Sequence, residues 1–171
     1  MLKISLVSRN NQMCCLKWKA LFIWLVLMTL SLSAVAQNPM PKFQSFSIED
    51  GLSQSVVKAI HQDRLGFLWI GTEEGLNKYD GYRFIVYQHE PQNAYSLNHS
   101  KIFAIYEDRA GTLWIGTERG LNRYDRRLDR FESFSNHTVW SIYEDNQDRL
   151  WIGTNSAGLY QFERKTCQWI S

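Results

Sequence analysis

Cysteine is nearly absent from the part of this chain that can fold. Of its three cysteines, Cys14 and Cys15 fall within the first 36 residues, which leaves Cys167 alone. The remainder can form no internal disulfide. Acid is missing from residues 1–36, which carry Lys3, Arg9, Lys17 and Lys19 and no Asp or Glu. The formal net charge of +2 is therefore an effect of that leading segment. Beyond it, fifteen Lys and Arg face 17 Asp and Glu, a balance of about −2. A nucleic-acid partner loses its electrostatic support on that count.

Catalytic patterns are also missing. The four histidines, His61, His89, His99 and His137, form no Cys/His or His/carboxylate cluster with metal-ligand spacing. Asp145-Asn146-Gln147-Asp148 lacks the Gly and the distal Glu of a calcium loop. No Gly-x-Ser-x-Gly nucleophile motif occurs. The paired carboxylates Glu73 and Glu74 sit in a turn, where acids are ordinarily solvated. The sequence therefore predicts no catalytic residue, no metal and no cofactor. After residue 37 no apolar period of 3.6 runs long enough for a helix.

What the chain does have begins with its leader. Four basic residues precede a 13-residue apolar run from Ala20 to Leu32, and Ala34-Val35-Ala36 follows as a small-x-small cleavage sequence. That layout is a secretory signal peptide. Thirteen residues fall short of the roughly 20 that a bilayer span requires. Residues 1–36 are thus expected to be removed on export, with Met13 an alternative start.

The rest is repetitive. Leu-Trp-Ile-Gly-Thr occurs at Leu68–Thr72, Leu113–Thr117 and Leu150–Thr154. An Asp lies six residues before each Trp (Asp63, Asp108, Asp145), and a Gly follows at Gly75, Gly120 and Gly158. The Trp-to-Trp spacings are 45 and 37 residues. Such a period means one supersecondary unit stacked on copies of itself.

Each unit reads as four short strands of β-branched and aromatic residues punctuated by turns. The middle strand is apolar on both sides of its alternation, so both of its faces must be covered. Sheets stacked radially cover both faces. The expectation is an all-β fold, a β-propeller of four-stranded antiparallel blades, with blades at 56–90, 101–135 and 138–171. Trp69, Trp114 and Trp151, with Gly71, Gly116 and Gly153, are expected to be structural residues of the blade packing.

A lead-in at 37–55 contains Lys42–Ser47, which nearly repeats Arg130–Ser135. It is expected to be an outer strand without a partner blade. Three blades leave a ring incomplete, because propellers ordinarily close with four to eight.

The frame Asp-x-x-Gly-x-Leu-Trp-Ile-Gly-Thr-x-x-Gly-Leu-Asn-x-Tyr-Asp runs through Asp63–Asp80 and Asp108–Asp125 and, more loosely, Asp145–Glu163. With the opening Phe46–Ser53, it resembles the two-component regulator propeller family. The resemblance implies the sensor region of a hybrid histidine kinase outside the inner membrane. It also implies glycan breakdown products as ligands, further blades and a kinase region as partners, and a homodimer in the full-length context.

Kinase activity is not carried onto these residues. Two other readings remain at this stage. One is a propeller lyase or glycosidase, since streptogramin-type lyases and sialidases share parts of the strand pattern. The other is a free-standing repeat protein. In a propeller, the loops entering each first strand share one face with the turns after the Leu-Trp-Ile-Gly-Thr strands. Asn98, His99, Asn136 and His137 are therefore expected to face a ligand there, since scaffold loops commonly carry binding residues.

Overall fold

A computed structural model describes residues 43–134 and 137–170. The expected leader and Asn136 lie outside the described residues. Residues Ser45–Ser171 form one compact unit. Among the described residues no helix is long and apolar enough to cross a membrane.

The chain builds three four-stranded antiparallel sheets in sequence order. The first contains β1 (Val57–Gln62), β2 (Leu68–Thr72), β3 (Leu76–Tyr79) and β4 (Phe84–Tyr87). The second contains β5 (Ile102–Glu107), β6 (Leu113–Thr117), β7 (Gly120–Asp125) and β8 (Arg130–Phe134). The third contains β9 (Val139–Glu144), β10 (Leu150–Thr154), β11 (Leu159–Glu163) and β12 (Gln168–Ile170). Close contacts between sheets run from β1 to β5 and from β5 to β9, so the first strands gather on one side. That is the radial arrangement of propeller blades.

Turn chemistry sets the strand lengths. Asp63 Oδ1 accepts the backbone N–H groups of Leu65 and Phe67, and Gly66 closes the turn with φ 90°. Asp145 does the same for Gln147 and Arg149. There Asp148 replaces the glycine and adopts φ 58°, the left-handed conformation that Asp tolerates better than most residues.

The core lies between sheets. Trp69 and Leu76 of the first sheet pack with Leu97, Ile102, Leu113, Ile115, Tyr124 and Phe131. Trp114 and Leu121 of the second pack with Val139, Leu150, Ile152 and Phe162 of the third. Trp69 and Trp114 are fully buried, whereas Trp151, with no described sheet beyond it, is half-buried.

The glycines of Leu-Trp-Ile-Gly-Thr permit this approach. A Cβ on Gly71 would sit 2.6 Å from Ile102 Cγ2, and one on Gly116 would sit 2.7 Å from Val139 Cγ1. At Gly153 the obstruction is Ser141 Oγ of its own sheet, at 2.2 Å.

One expected element differs. Residues 43–47 form no strand, and no described strand pairs with them. Ser47 instead caps a short 3-10 turn, Ile48–Asp50, through a capping box with Asp50, and Gly51 ends it at φ 104°. Phe46 packs on Tyr79 and Phe84, with ring centroids 5.0 and 5.6 Å away. Local capping and aromatic burial hold these residues, and none of the described strands pairs with them.

Candidate functional site

The loops entering β5 and β9 carry the expected ligand-facing residues. The structure gives Asn98 an internal job. Its Oδ1 accepts from Thr117 Oγ1 at 2.6 Å and from Asn122 Nδ2 at 2.8 Å, while its Nδ2 donates to the Arg119 carbonyl. Ser53 plays the same part in the first sheet, bonding Thr72 and Asn77. Asn98 thus pins the loop entering β5 to the buried Thr–Asn pair of its own blade, and its polar atoms are spent there.

His99 is better placed to meet a ligand. Its Nδ1 accepts from the Lys101 backbone and lies 3.7 Å from Glu118. Burial pushes its pKa down, and Glu118 opposes that only in part. His137 is exposed and stacks on Tyr160 at 5.8 Å.

The two loops are also out of phase. Asn98 lies four residues before Ile102 and Asn136 three before Val139, while Ile102 and Val139 hold the same ladder position. The repeated Asn-His dipeptides are therefore not equivalent.

Sequence reasoning missed the aromatic pair beside His99. Each first strand carries a β-bulge at its second residue, between Val57 and Ala59, between Ile102 and Ala104, and between Val139 and Ser141. The bulged residues are Lys58, Phe103 and Trp140. A bulge re-aims its side chain away from the ladder. Phe103 and Trp140 stack across the junction with centroids 5.4 Å apart and planes 17° apart. Lys101 lies over the Phe103 ring, Trp140 is 56% exposed, and Lys58 pairs with Glu73 at 3.1 Å. The visible signal was a Trp in a first strand at the position held by Phe in the preceding repeat. The exposed Trp140 ring, next to a surface that also carries ammonium, imidazole and carboxylate groups, can stack on an apolar ring face whose hydroxyls those groups hydrogen-bond.

The opposite end of each junction is an ionic clamp. Each repeat Asp accepts the indole N–H of its own Trp: Trp69 to Asp63 at 2.8 Å, Trp114 to Asp108 at 2.9 Å, Trp151 to Asp145 at 2.9 Å. An Arg from the following sheet then reaches back. Arg126 bridges Asp63 at 2.6 Å and Glu107 at 2.9 Å. Arg164 does the same for Asp108, at 3.4 Å, and Glu144. Burial pushes the Asp63 carboxyl up, but the Trp69 indole and Arg126 outweigh it and hold the pKa below its ordinary value. Asp145 meets Arg149 of its own sheet at 2.6 Å. Among the described residues no group of three or more His, Cys, Asp or Glu is arranged to hold a metal ion.

Fold and junctions together define a β-propeller-type repeat protein. The profile of the family described as "Two component regulator propeller" matches residues 51–74, 96–119 and 133–156. These repeats belong to the two-component regulator propeller family. A 69-residue stretch is 48% identical to "Histidine kinase P4" of Formosa agariphila, covering 40% of this chain and 5% of that protein.

A solved extracellular domain ascribed to a hybrid two component system of B. thetaiotaomicron is 33% identical. It superposes with a TM-score of 0.68 over 75% of this chain and 20% of that one. A second such domain from the same organism is 26% identical, with a TM-score of 0.63 over 74% and 19%. The chain thus spans about a fifth of these domains and a twentieth of the kinase.

Proposed function

We propose that this chain is part of the ligand-sensing module of a two-component system, acting in the periplasm, and that its ligand is an oligosaccharide released from a complex glycan. The observation that carries the reading is the bulged row on the first strands. Phe103 and Trp140 are turned out of their ladders to form one stacked, solvent-facing surface beside His99, Lys101 and Glu118. The kinship with domains ascribed to hybrid two component systems supports a sensing role, and the leader supports export.

Further blades, a kinase region and a second copy of the full-length protein are its expected partners. The test is titration calorimetry of the purified chain against neutral and acidic oligosaccharides, with Trp140→Ala as the control. Loss of a stacking face should weaken binding by about tenfold. Absence of saccharide binding, or binding indifferent to Trp140→Ala, would sink the reading.

A further inference from the structure

A cleft of about 740 Å³ opens on the outer part of the second sheet, away from the bulged row. Its walls come from the β7–β8 turn, the first residues of β8, the β5–β6 turn and the loop at Tyr95. Four arginines, Arg123, Arg126, Arg127 and Arg130, are among its lining residues, with two acidic ones, Asp125 and Glu132.

Their commitments differ. Arg123 pairs with Glu132, and Arg126 is held by Asp63 and Glu107 outside the cleft. Arg130 is 3.8 Å from Asp125 and lies over the exposed Tyr95 ring at 4.5 Å. Arg127 is exposed, and among the described residues its side chain makes no hydrogen bond or ion pair. The cleft therefore holds more positive charge than its own walls neutralise.

Two features make it a built site. The Phe131 backbone donates to the Tyr95 carbonyl at 2.8 Å, which fixes the loop bearing the Tyr95 ring against the β8 edge. Asp129 adopts φ 48° in the β7–β8 turn and is gripped by Tyr124 at 2.5 Å and by Tyr87 of the first sheet at 2.7 Å. That anchor fixes the turn carrying Arg127. The first sheet has no counterpart, because its Asp80–Gly81 turn is shorter. The third has Lys165 and Gln168 where the second has Arg127 and Arg130.

From this geometry we infer a second binding site, one that takes a saccharide bearing carboxylate or sulfate groups. Arg127 and Arg130 would engage the oxyanions, and Tyr95 would lie against the sugar ring. Planar guanidinium groups match carboxylate and sulfate oxygens in paired hydrogen bonds. The volume falls within the range of ordinary ligand sites. The choice of a saccharide, rather than another oxyanion, rests on the function proposed above.

Calorimetry on the full chain would use trigalacturonate as the uronate probe, a heparin-derived tetrasaccharide as the sulfated probe and maltotriose as the neutral one. At least one anionic probe should bind, less tightly as salt rises. Arg127→Gln and Arg130→Gln should each weaken that binding by about tenfold, the value of a lost charge-assisted hydrogen bond. Lys165→Gln should leave it unchanged. Failure of both anionic probes, indifference to Arg127→Gln, or an equal effect from Lys165→Gln would overturn the assignment. Among the described residues the Arg127 side chain has no partner, so its variant keeps the test valid if Arg130→Gln lowers stability. The sensing reading is judged separately, since Trp140→Ala acts on the other surface.

Discussion

Replacing Asp108 with Ala should be among the most damaging single changes in this fold. The side chain is buried and serves three partners at once. Its Oδ2 accepts the Trp114 indole N–H at 2.9 Å, its Oδ1 accepts the Thr112 backbone N–H at 2.8 Å, and Arg164 of the next sheet lies 3.4 Å away. Truncation leaves a buried indole donor unpaired, at about 1–3 kcal/mol. It also takes one of two carboxylates from a guanidinium that bridges two sheets, and breaking a buried charge pair costs about 3–5 kcal/mol. These terms overlap, so the expected total is about 3–5 kcal/mol. Asp108→Asn keeps one acceptor and the shape, and should cost roughly 1–3 kcal/mol. Urea unfolding followed by tryptophan fluorescence measures both. A double-mutant cycle with Trp114→Phe isolates the indole bond, and its coupling should exceed about 0.5 kcal/mol. A loss below about 1 kcal/mol for Asp108→Ala, or a coupling near zero, would show that the junction is held by apolar contact alone.

Three further outcomes follow from the same contacts. Asp63 has its carboxyl pKa held below the unfolded value, so its stabilisation is present above that value and is lost as pH falls through the folded one. Urea midpoints should hold steady from neutral pH to about 5 and drop below about 4, and Asp63→Asn should blunt the drop. Gly116→Ala places a Cβ 2.7 Å from Val139 Cγ1 and 2.9 Å from its carbonyl, so it should cost about 1–3 kcal/mol in the same assay. N-terminal sequencing of exported protein should begin at Gln37, and retention of Leu21–Leu32 would identify an anchor in place of a cleaved signal.

The blade architecture was legible in the sequence because its determinants are local and repeated. A strand that is apolar on both sides, an Asp that caps its own turn and a Gly with positive φ each declare themselves within a few residues. The left-handed conformation of Asp148 was readable for that reason. The candidate sites were less legible because they depend on which side chains meet across sheets. Asn98 looked like an exposed loop residue, yet Thr117 and Asn122, distant in sequence, bring it inside. The Phe103–Trp140 stack required knowing that both residues are bulged. Residues 43–47 copied the sequence of β8, but no described strand lies beside them, and pairing is what makes a strand.

The repeats also show how a stack of nearly identical units specifies its order. Inner junctions use a Glu at the end of the first strand and an Arg after the third: Glu107 with Arg126, then Glu144 with Arg164. The first sheet has Gln62 and Gly81 in those places, and residues 46–52 pack on it instead, with Phe46 against Tyr79 and Phe84 and Leu52 buried. A sheet set against that face could not be held by the same clamp. The third sheet, by contrast, presents Asp145 and Trp151 as an inner sheet does, with Arg149 occupying the carboxylate. Its exposed Tyr143 and Leu159 add apolar surface. A sheet carrying Glu and Arg at the clamp positions would fit Asp145 as Arg126 fits Asp63. Because the apolar contacts are nearly the same at every junction, the charged pair is what can distinguish one neighbour from another.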